Sequence, residues 1–311
     1  MTTRPHRFLS AAIVAALAVP LTGVTRPGSV PAPVPAPVPP LVATPAALGE
    51  RYAAGRAEIL AAARAAARHG DHRRAAGLRA MADPVRRFLS FDGRDGGRTV
   101  EVFGDLSGAE RVAVLVPGAG INLDKYRALR DGSTNLRNAL GDRSAVVAWL
   151  GYATPNGVSL QAVTPGRAEE AAPRLRAFVR GLAAARPGAR ISLLCHSYGS
   201  VVCGRAAPGL DVAHIVLFGS PGAGVPDAAA LRTPATVWAG RTAGDWIGGL
   251  PHASIVLPFV TVGLGEDPVA PGFGARVFAA GGGGHGDYLA AGSTALASIA
   301  RIVSGQADGD A

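Results

Sequence analysis

Three side chains far apart in this 311-residue sequence form the set that acyl transfer requires. They are a hydroxyl nucleophile, a base to take its proton and a carboxylate to orient the base. The nucleophile is Ser197, in Cys195-His196-Ser197-Tyr198-Gly199. An apolar run over 191–195 leads into it, and a helix-competent stretch over 201–207 follows. A small-x-Ser-x-Gly step between strand and helix is the pattern of a nucleophile elbow, a strained turn that lifts one hydroxyl above a sheet edge. The strain demands small neighbours. Gly199 is one, and Cys195 stands where glycine is usual. A helix starting beside Ser197 also turns backbone N–H groups toward developing negative charge.

The base is expected on a loop after the last strand. His285, framed by Gly281-Gly282-Gly283-Gly284 and Gly286, has few packing neighbours and a loop that lets its ring swing to Ser197. His252 is the alternative, although it precedes the last strand. His196 reads as structural and pointing away from the nucleophile, and His69, His72 and His214 show no partners. The carboxylate is expected after a later strand, at Asp245 in Gly244-Asp245-Trp246. Asp267, in Glu266-Asp267-Pro268, is the second candidate, and is also an ordinary turn residue before proline. Two amides should hold the oxyanion: that of Tyr198, and that of Ala119, with Gly120 next, in Pro117-Gly118-Ala119-Gly120. Taken singly, each piece has a plain structural explanation as a buried serine, a solvated carboxylate or a strand-ending turn.

Positioning these residues requires a scaffold. Strands expected over 111–116, 144–150, 191–195, 213–218, 236–239 and 275–278 are nearly all apolar, and helices over 124–140, 166–186 and 293–303 alternate with them. That pattern predicts an α/β fold: a mostly parallel sheet covered by helices on both faces, with its site at the carboxyl ends of the strands. A further strand is expected over 98–103. The main domain is expected over 97–304, with a frayed tail over 305–311. Before it, 44–96 reads as an N-terminal helical addition. Its helices are expected over 45–68, capped by Thr44 and opened by Pro45, over 73–81, and over a short stretch from Asp83-Pro84 to Leu89.

The first 26 residues carry Arg4, His6 and Arg7 ahead of an apolar run, the shape of a signal peptide or membrane anchor. The Ala16-Leu17-Ala18 step lies inside the run, which leaves cleavage open. Residues 27–43 are Pro-rich and read as an extended linker. The expected location is therefore secreted or cell-envelope anchored, with membrane or cell-wall association through the N-terminus. A formal charge of +9 invites a nucleic-acid reading, but Lys125 is the only lysine and the arginines are scattered without aromatics, so no nucleic-acid partner is expected. A hydrophobic fraction of 48% supports a real core. Cys195 and Cys203 are the only cysteines; Gly199 and Cys203 share the helix face against which the Cys195 position packs, which suits a disulfide stapling the elbow, or two small buried thiols. Their spacing lacks further ligands for zinc, and no metal or organic cofactor is expected.

The chain order Ser197, Asp245, His285 is that of α/β-hydrolases. The sequence resembles an α/β-hydrolase family widespread in actinobacteria and formerly catalogued as a domain of unknown function. The resemblance is carried by Val112-Ala113-Val114-Leu115-Val116-Pro117-Gly118-Ala119-Gly120, His196-Ser197-Tyr198-Gly199-Ser200, Phe218-Gly219-Ser220-Pro221-Gly222, Pro271-Gly272-Phe273-Gly274-Ala275-Arg276-Val277-Phe278, Gly284-His285 and Asp287-Tyr288-Leu289. It spans 97–289 and implies hydrolase activity without fixing a substrate. The expectation is an esterase- or lipase-like serine hydrolase acting on a small-molecule or lipid ester, with Trp246, Ile247, Leu250 and residues 255–259 lining an acyl pocket or forming core. Amide, peptide or acyl-transfer chemistry on the same triad, and a wall-attached scaffold on a decayed hydrolase fold, are the alternatives.

Overall fold

Side chains along the main sheet sort alternately onto two cores. Val112, Val114 and Val116 face one, Ala113 and Leu115 the other; Val147 and Trp149 oppose Val146 and Ala148 in the same way. Such two-faced burial is what near-continuous apolar strands require. The computed structural model describes residues 30–157, 159–250, 252, 254–257 and 260–307, so the expected signal or anchor segment and the end of the expected tail lie outside the described residues.

The strands are β1 (Arg87–Asp92), β2 (Arg98–Gly104), β3 (Arg111–Val116), β4 (Ser144–Leu150), β5 (Arg190–His196), β6 (His214–Phe218), β7 (Thr236–Gly240), β8 (Ser254–Leu257), β9 (Val260–Gly263) and β10 (Arg276–Val277). Eight of them form one sheet in the order β1-β2-β4-β3-β5-β6-β7-β10. It is parallel from β4 to β10, and β1 and β2 add to its edge antiparallel. A β8–β9 hairpin stands apart. Helices α4 (Gly166–Ala185) and α5 (Gly199–Ala206) cover one face. The other is covered by most of α1 (Pro45–Arg68), by α2 (His72–Met81), α3 (Arg127–Leu140) and α6 (Thr294–Ser304). Thr44 caps α1, its Oγ1 accepting from the Ala47 amide at 3.3 Å.

The structure corrects two expectations about the N-terminal region. No helix runs from Asp83 to Leu89; the Asp83 carboxylate accepts from the Val85 amide at 3.0 Å and closes a tight turn instead, after which β1 pairs with β2. A register shift between Phe88 and Ser90 lets Phe88 and Phe91 share one core while Leu89 enters the other. Two 2.7 Å contacts from Arg86 to the buried Glu101 carboxylate tie this turn to β2. The Pro-rich stretch is not a free spacer over residues 30–43. It lies along α1: the Ala36 amide donates to Glu58 at 3.1 Å, Arg51 donates to the carbonyls of Pro39 and Pro40, and Val30, Ala32 and Leu41 pack against the cores. An extended proline-rich backbone makes no internal hydrogen bonds, so its carbonyls are open to such a donor.

Candidate active site

β5 ends at His196 and α5 begins at Gly199, so Ser197 and Tyr198 make the whole turn between them. Ser197 has φ of +53°, a left-handed conformation that costs energy for any residue with a Cβ. The surroundings hold it there. The Ser197 amide donates to the Phe218 carbonyl at 3.0 Å, and the Ser200 hydroxyl to the Cys195 carbonyl at 3.1 Å. A Cβ at Gly199 would stand 2.5 Å from the Val116 carbonyl oxygen, so only glycine lets α5 approach β3 this closely. Cys195 and Cys203 are joined by a disulfide, with a Cα–Cα separation of 6.3 Å, that ties the end of β5 to α5. Cysteine is thus accommodated at the small-residue position because its sulfur is bonded to the helix that the turn creates.

His285 brings the three expected side chains together. Its Nε2 lies 2.9 Å from Ser197 Oγ, and its Nδ1 lies 2.9 and 3.0 Å from the two Asp245 oxygens. A carboxylate only accepts, so Nδ1 carries the proton and the Nε2 lone pair faces the serine hydroxyl. Burial pushes the Asp245 carboxyl upward, but hydrogen bonds from Tyr288, the Ile247 amide and His285 outweigh it and hold the group below the usual carboxylate range.

The loop that carries His285 is more tightly held than its glycines suggest. The Ala243 and Gly244 amides donate to the carbonyls of Gly281 and Gly283 at 2.9 and 3.1 Å, and Asp287 accepts from the Gly284 amide at 2.8 Å. The glycine run admits close backbone approach between the acid and base loops rather than a swinging ring. Gly219 acts similarly. It has φ of +56°, and a Cβ there would stand 3.0, 3.1 and 3.2 Å from atoms of Tyr288, Asp245 and His285.

Two positioning residues escaped the sequence reading. The Tyr288 hydroxyl donates to Asp245 Oδ2 at 2.6 Å and accepts from the Thr242 amide at 3.1 Å. Burial, and then the carboxylate contact, push its phenol up to about 12, so it stays a donor. Its sequence signal is a large amphipathic aromatic beside the base, whose buried hydroxyl must find a partner. His196 is more than packing: its Nε2–H donates to the His285 carbonyl at 2.8 Å, and its ring lies 5.2 Å from Phe218 and 4.8 Å from His285, centroid to centroid. Burial, and then the neighbouring His285, lower its pKa to about 4.

The other expectations divide. The Gly120 amide donates to the Pro155 carbonyl at 2.8 Å and is taken, which removes it as an oxyanion donor. Among the described residues neither the Ala119 nor the Tyr198 amide donates to a backbone carbonyl. The Tyr198 side chain points away, its hydroxyl donating to the Thr164 carbonyl at 2.7 Å. Of the expected acyl-pocket residues, Trp246 meets His285 with its ring, centroid to centroid at 5.1 Å, and Ile247 meets Asp245 through its backbone amide, which donates to Oδ1 at 2.9 Å. Asp245 caps the short turn Trp246–Gly249, which buries Ile247 and leaves Leu250 facing solvent. The side chains of residues 255–259 lie outside the described residues. Asp267 pairs with Arg241 at 2.8 Å, and His252 lies 3.9 Å from Asp267 rather than at the triad. His214 does have partners: its Nδ1 accepts from the Trp238 indole at 3.4 Å, and Arg190 lies 3.5 Å from its Nε2. Among the described residues no group of three or more His, Cys, Asp and Glu could hold a metal ion.

The family match agrees with this architecture. Residues 92–255, more than half of the chain, match the family described as Alpha/beta hydrolase. An uncharacterized protein of Mycobacterium tuberculosis, Rv2079, is 30% identical over 254 residues, covering 71% of this chain and 38% of the relative. The chain thus spans well under half the length of that relative. An uncharacterized protein of Mycobacterium bovis, Mb0988c, is 32% identical over 186 residues, covering 52% of this chain and 70% of the relative. Among solved structures, esterase PE8 is 16% identical with a TM-score of 0.44, covering 66% of this chain and 96% of its own. Esterase LipW from Mycobacterium marinum is 17% identical with a TM-score of 0.41, covering 79% and 90%. The chain belongs to the α/β-hydrolase family, in the branch shared with these actinobacterial relatives.

Proposed function

We propose that this chain is a serine hydrolase that cleaves a carboxylic ester through an acyl-enzyme. The observation that carries the reading is the 2.9 Å approach of His285 Nε2 to Ser197 Oγ, with Nδ1 held by Asp245. Ser197 Oγ attacks the ester carbonyl while its proton passes to His285 Nε2. Asp245 stabilises the resulting imidazolium. The amides of Tyr198 and Ala119 hold the oxyanion. His285 then gives its proton to the departing alkoxide, which leaves as the alcohol. Water, deprotonated by the same imidazole, hydrolyses the acyl-enzyme and restores Ser197.

The test is labelling of the folded chain with a fluorophosphonate, alongside turnover of a p-nitrophenyl ester. The wild type should label and turn over, and Ser197→Ala should do neither. Absence of labelling in folded wild type would replace this reading with that of a scaffold. We also propose that the protein is exported, which the Cys195–Cys203 disulfide supports, since such bonds persist in oxidising compartments. Maleimide labelling of protein from the culture medium or envelope, before and after reduction, checks this. Protein confined to the cytosol with both thiols free would sink it.

A further inference from the structure

A cavity of about 320 Å³ opens between the loop after β3 and the loop that carries the base, beside α3. Its walls are mainly apolar: Leu115, Ile121, Leu129, Phe218 and Leu289. Three further wall residues lie next to the reacting groups, two along the chain and one through a contact. Pro117 precedes Gly118, where a Cβ would stand 2.5 Å from Ser197 Cβ; His196 precedes Ser197; Gly286 follows His285. The cavity therefore begins one residue from the nucleophile on β5 and one residue from the base on its loop, and on the loop after β3 one residue from the glycine that packs against Ser197.

Polar groups on its walls are already engaged by the protein. The Tyr288 hydroxyl is bonded to Asp245, the His196 Nε2–H to the His285 carbonyl, and the Asn135 amide to the Leu289 carbonyl at 2.9 Å. Asp131 has a half-exposed side chain and lies 3.4 Å from Arg127. A ligand entering here gains apolar contact and finds these donors spent, which selects for a hydrocarbon rather than a sugar or a charged group. At about 30 Å³ per water-sized group, the space holds a chain of roughly ten heavy atoms.

We infer that this cavity is the acyl-chain site, and that the substrates are esters of aliphatic acids of up to about ten carbons. The inference rests on the ester-hydrolase reading above. It replaces the Trp246–Leu250 stretch as the acyl pocket with one on the α3 side of the base loop.

The experiment is kcat/KM of the purified chain on p-nitrophenyl esters from acetate to palmitate. Each buried methylene should raise kcat/KM roughly three- to fourfold, up to about C8–C10, with a plateau or fall beyond. Ala128→Trp, on the α3 rim of the cavity, and Ile121→Trp, on the opposite loop, should each lower the C8-to-C2 ratio at least tenfold. A wild-type profile that is flat, that falls from acetate, or that climbs through C16 overturns the inference, as does an unchanged ratio in both variants. If one variant does not fold, the other and the wild-type profile decide. Fluorophosphonate labelling separates the two levels. Labelled Ser197 with a flat profile removes only the acyl site, whereas unlabelled, inactive protein removes the hydrolase reading and this one with it.

Discussion

The turn that carries Ser197 and the loops that bring Asp245 and His285 to it are fixed by different forces. Around Ser197 the constraint is steric and covalent, with hydrogen bonds only from groups that do not titrate: a forbidden Cβ at Gly199, a disulfide from Cys195 to Cys203, one left-handed residue in between, and the Ser197 amide and Ser200 hydroxyl on backbone carbonyls. Around Asp245 and His285 the constraint is polar. Tyr288, Thr242, the Ile247 amide and His196 each hold one atom by a hydrogen bond, and the glycine run lets the two backbones meet. The first kind of constraint resists distortion without regard to protonation. The second depends on which groups carry protons, so acid should loosen the hold on His285 before it loosens the turn at Ser197.

The largest effect expected is from Ser197→Ala, which should lower kcat by on the order of 10⁶-fold while leaving the melting temperature nearly unchanged. An equally inactive but unfolded variant would mean that the hydroxyl is part of the elbow's own support. Tyr288→Phe should lower kcat by about 10–100-fold, the loss of one hydrogen bond to a charged group. With that donor gone the Asp245 carboxyl titrates higher, so the acid limb of the pH profile should move to higher pH. An unmoved limb would place the control of Asp245 elsewhere. Replacing both cysteines by alanine should cost about 2–3 kcal/mol in chemical denaturation, since the bond closes a loop with a sequence separation of only 8. Activity per folded molecule should fall with it if the staple also aims Ser197.

The smallest effect is from pH. His196 is held neutral, its pKa lowered from 6.5 to about 4. On acidification the unfolded chain takes up this proton first, so the contribution is full above pH 6.5 and is lost as pH falls toward 4. Thermal melts over that window should show a decline on the order of 1–3 kcal/mol, flattened in His196→Phe. A wild type with no decline would break the contrast between the two regions.

Much of the scaffold is legible in the sequence because parallel strands must be apolar on both faces. Segments such as Val112-Ala113-Val114-Leu115-Val116 allow little else. The order Ser197, Asp245, His285 is legible in part for a related reason: Ser197 and Asp245 each follow a strand of that kind, whereas His285 follows β10, a two-residue edge strand with both side chains exposed. β1 is hidden because Arg87-Phe88-Leu89-Ser90-Phe91 contains a bulge, and its apolar spacing then matches neither a helix nor a regular strand. Tyr288 and His196 are hidden because a polar tip declares its role only through its partner, and both partners come from distant segments. Gly120 misleads because a glycine-rich loop looks the same whether its amides face a substrate or, as here, the Pro155 carbonyl.

The docked Pro-rich strap changes how the domain would sit against a surface. Free, residues 30–43 would give roughly 40 Å of reach, at about 3.1 Å per residue. Clamped by Arg51 and Glu58 along α1, they give none of it. A tether joined upstream of Val30 would leave the body of the protein where the strap begins, beside Gly93 at the end of β1, and that point of departure would set which side of the molecule faces outward.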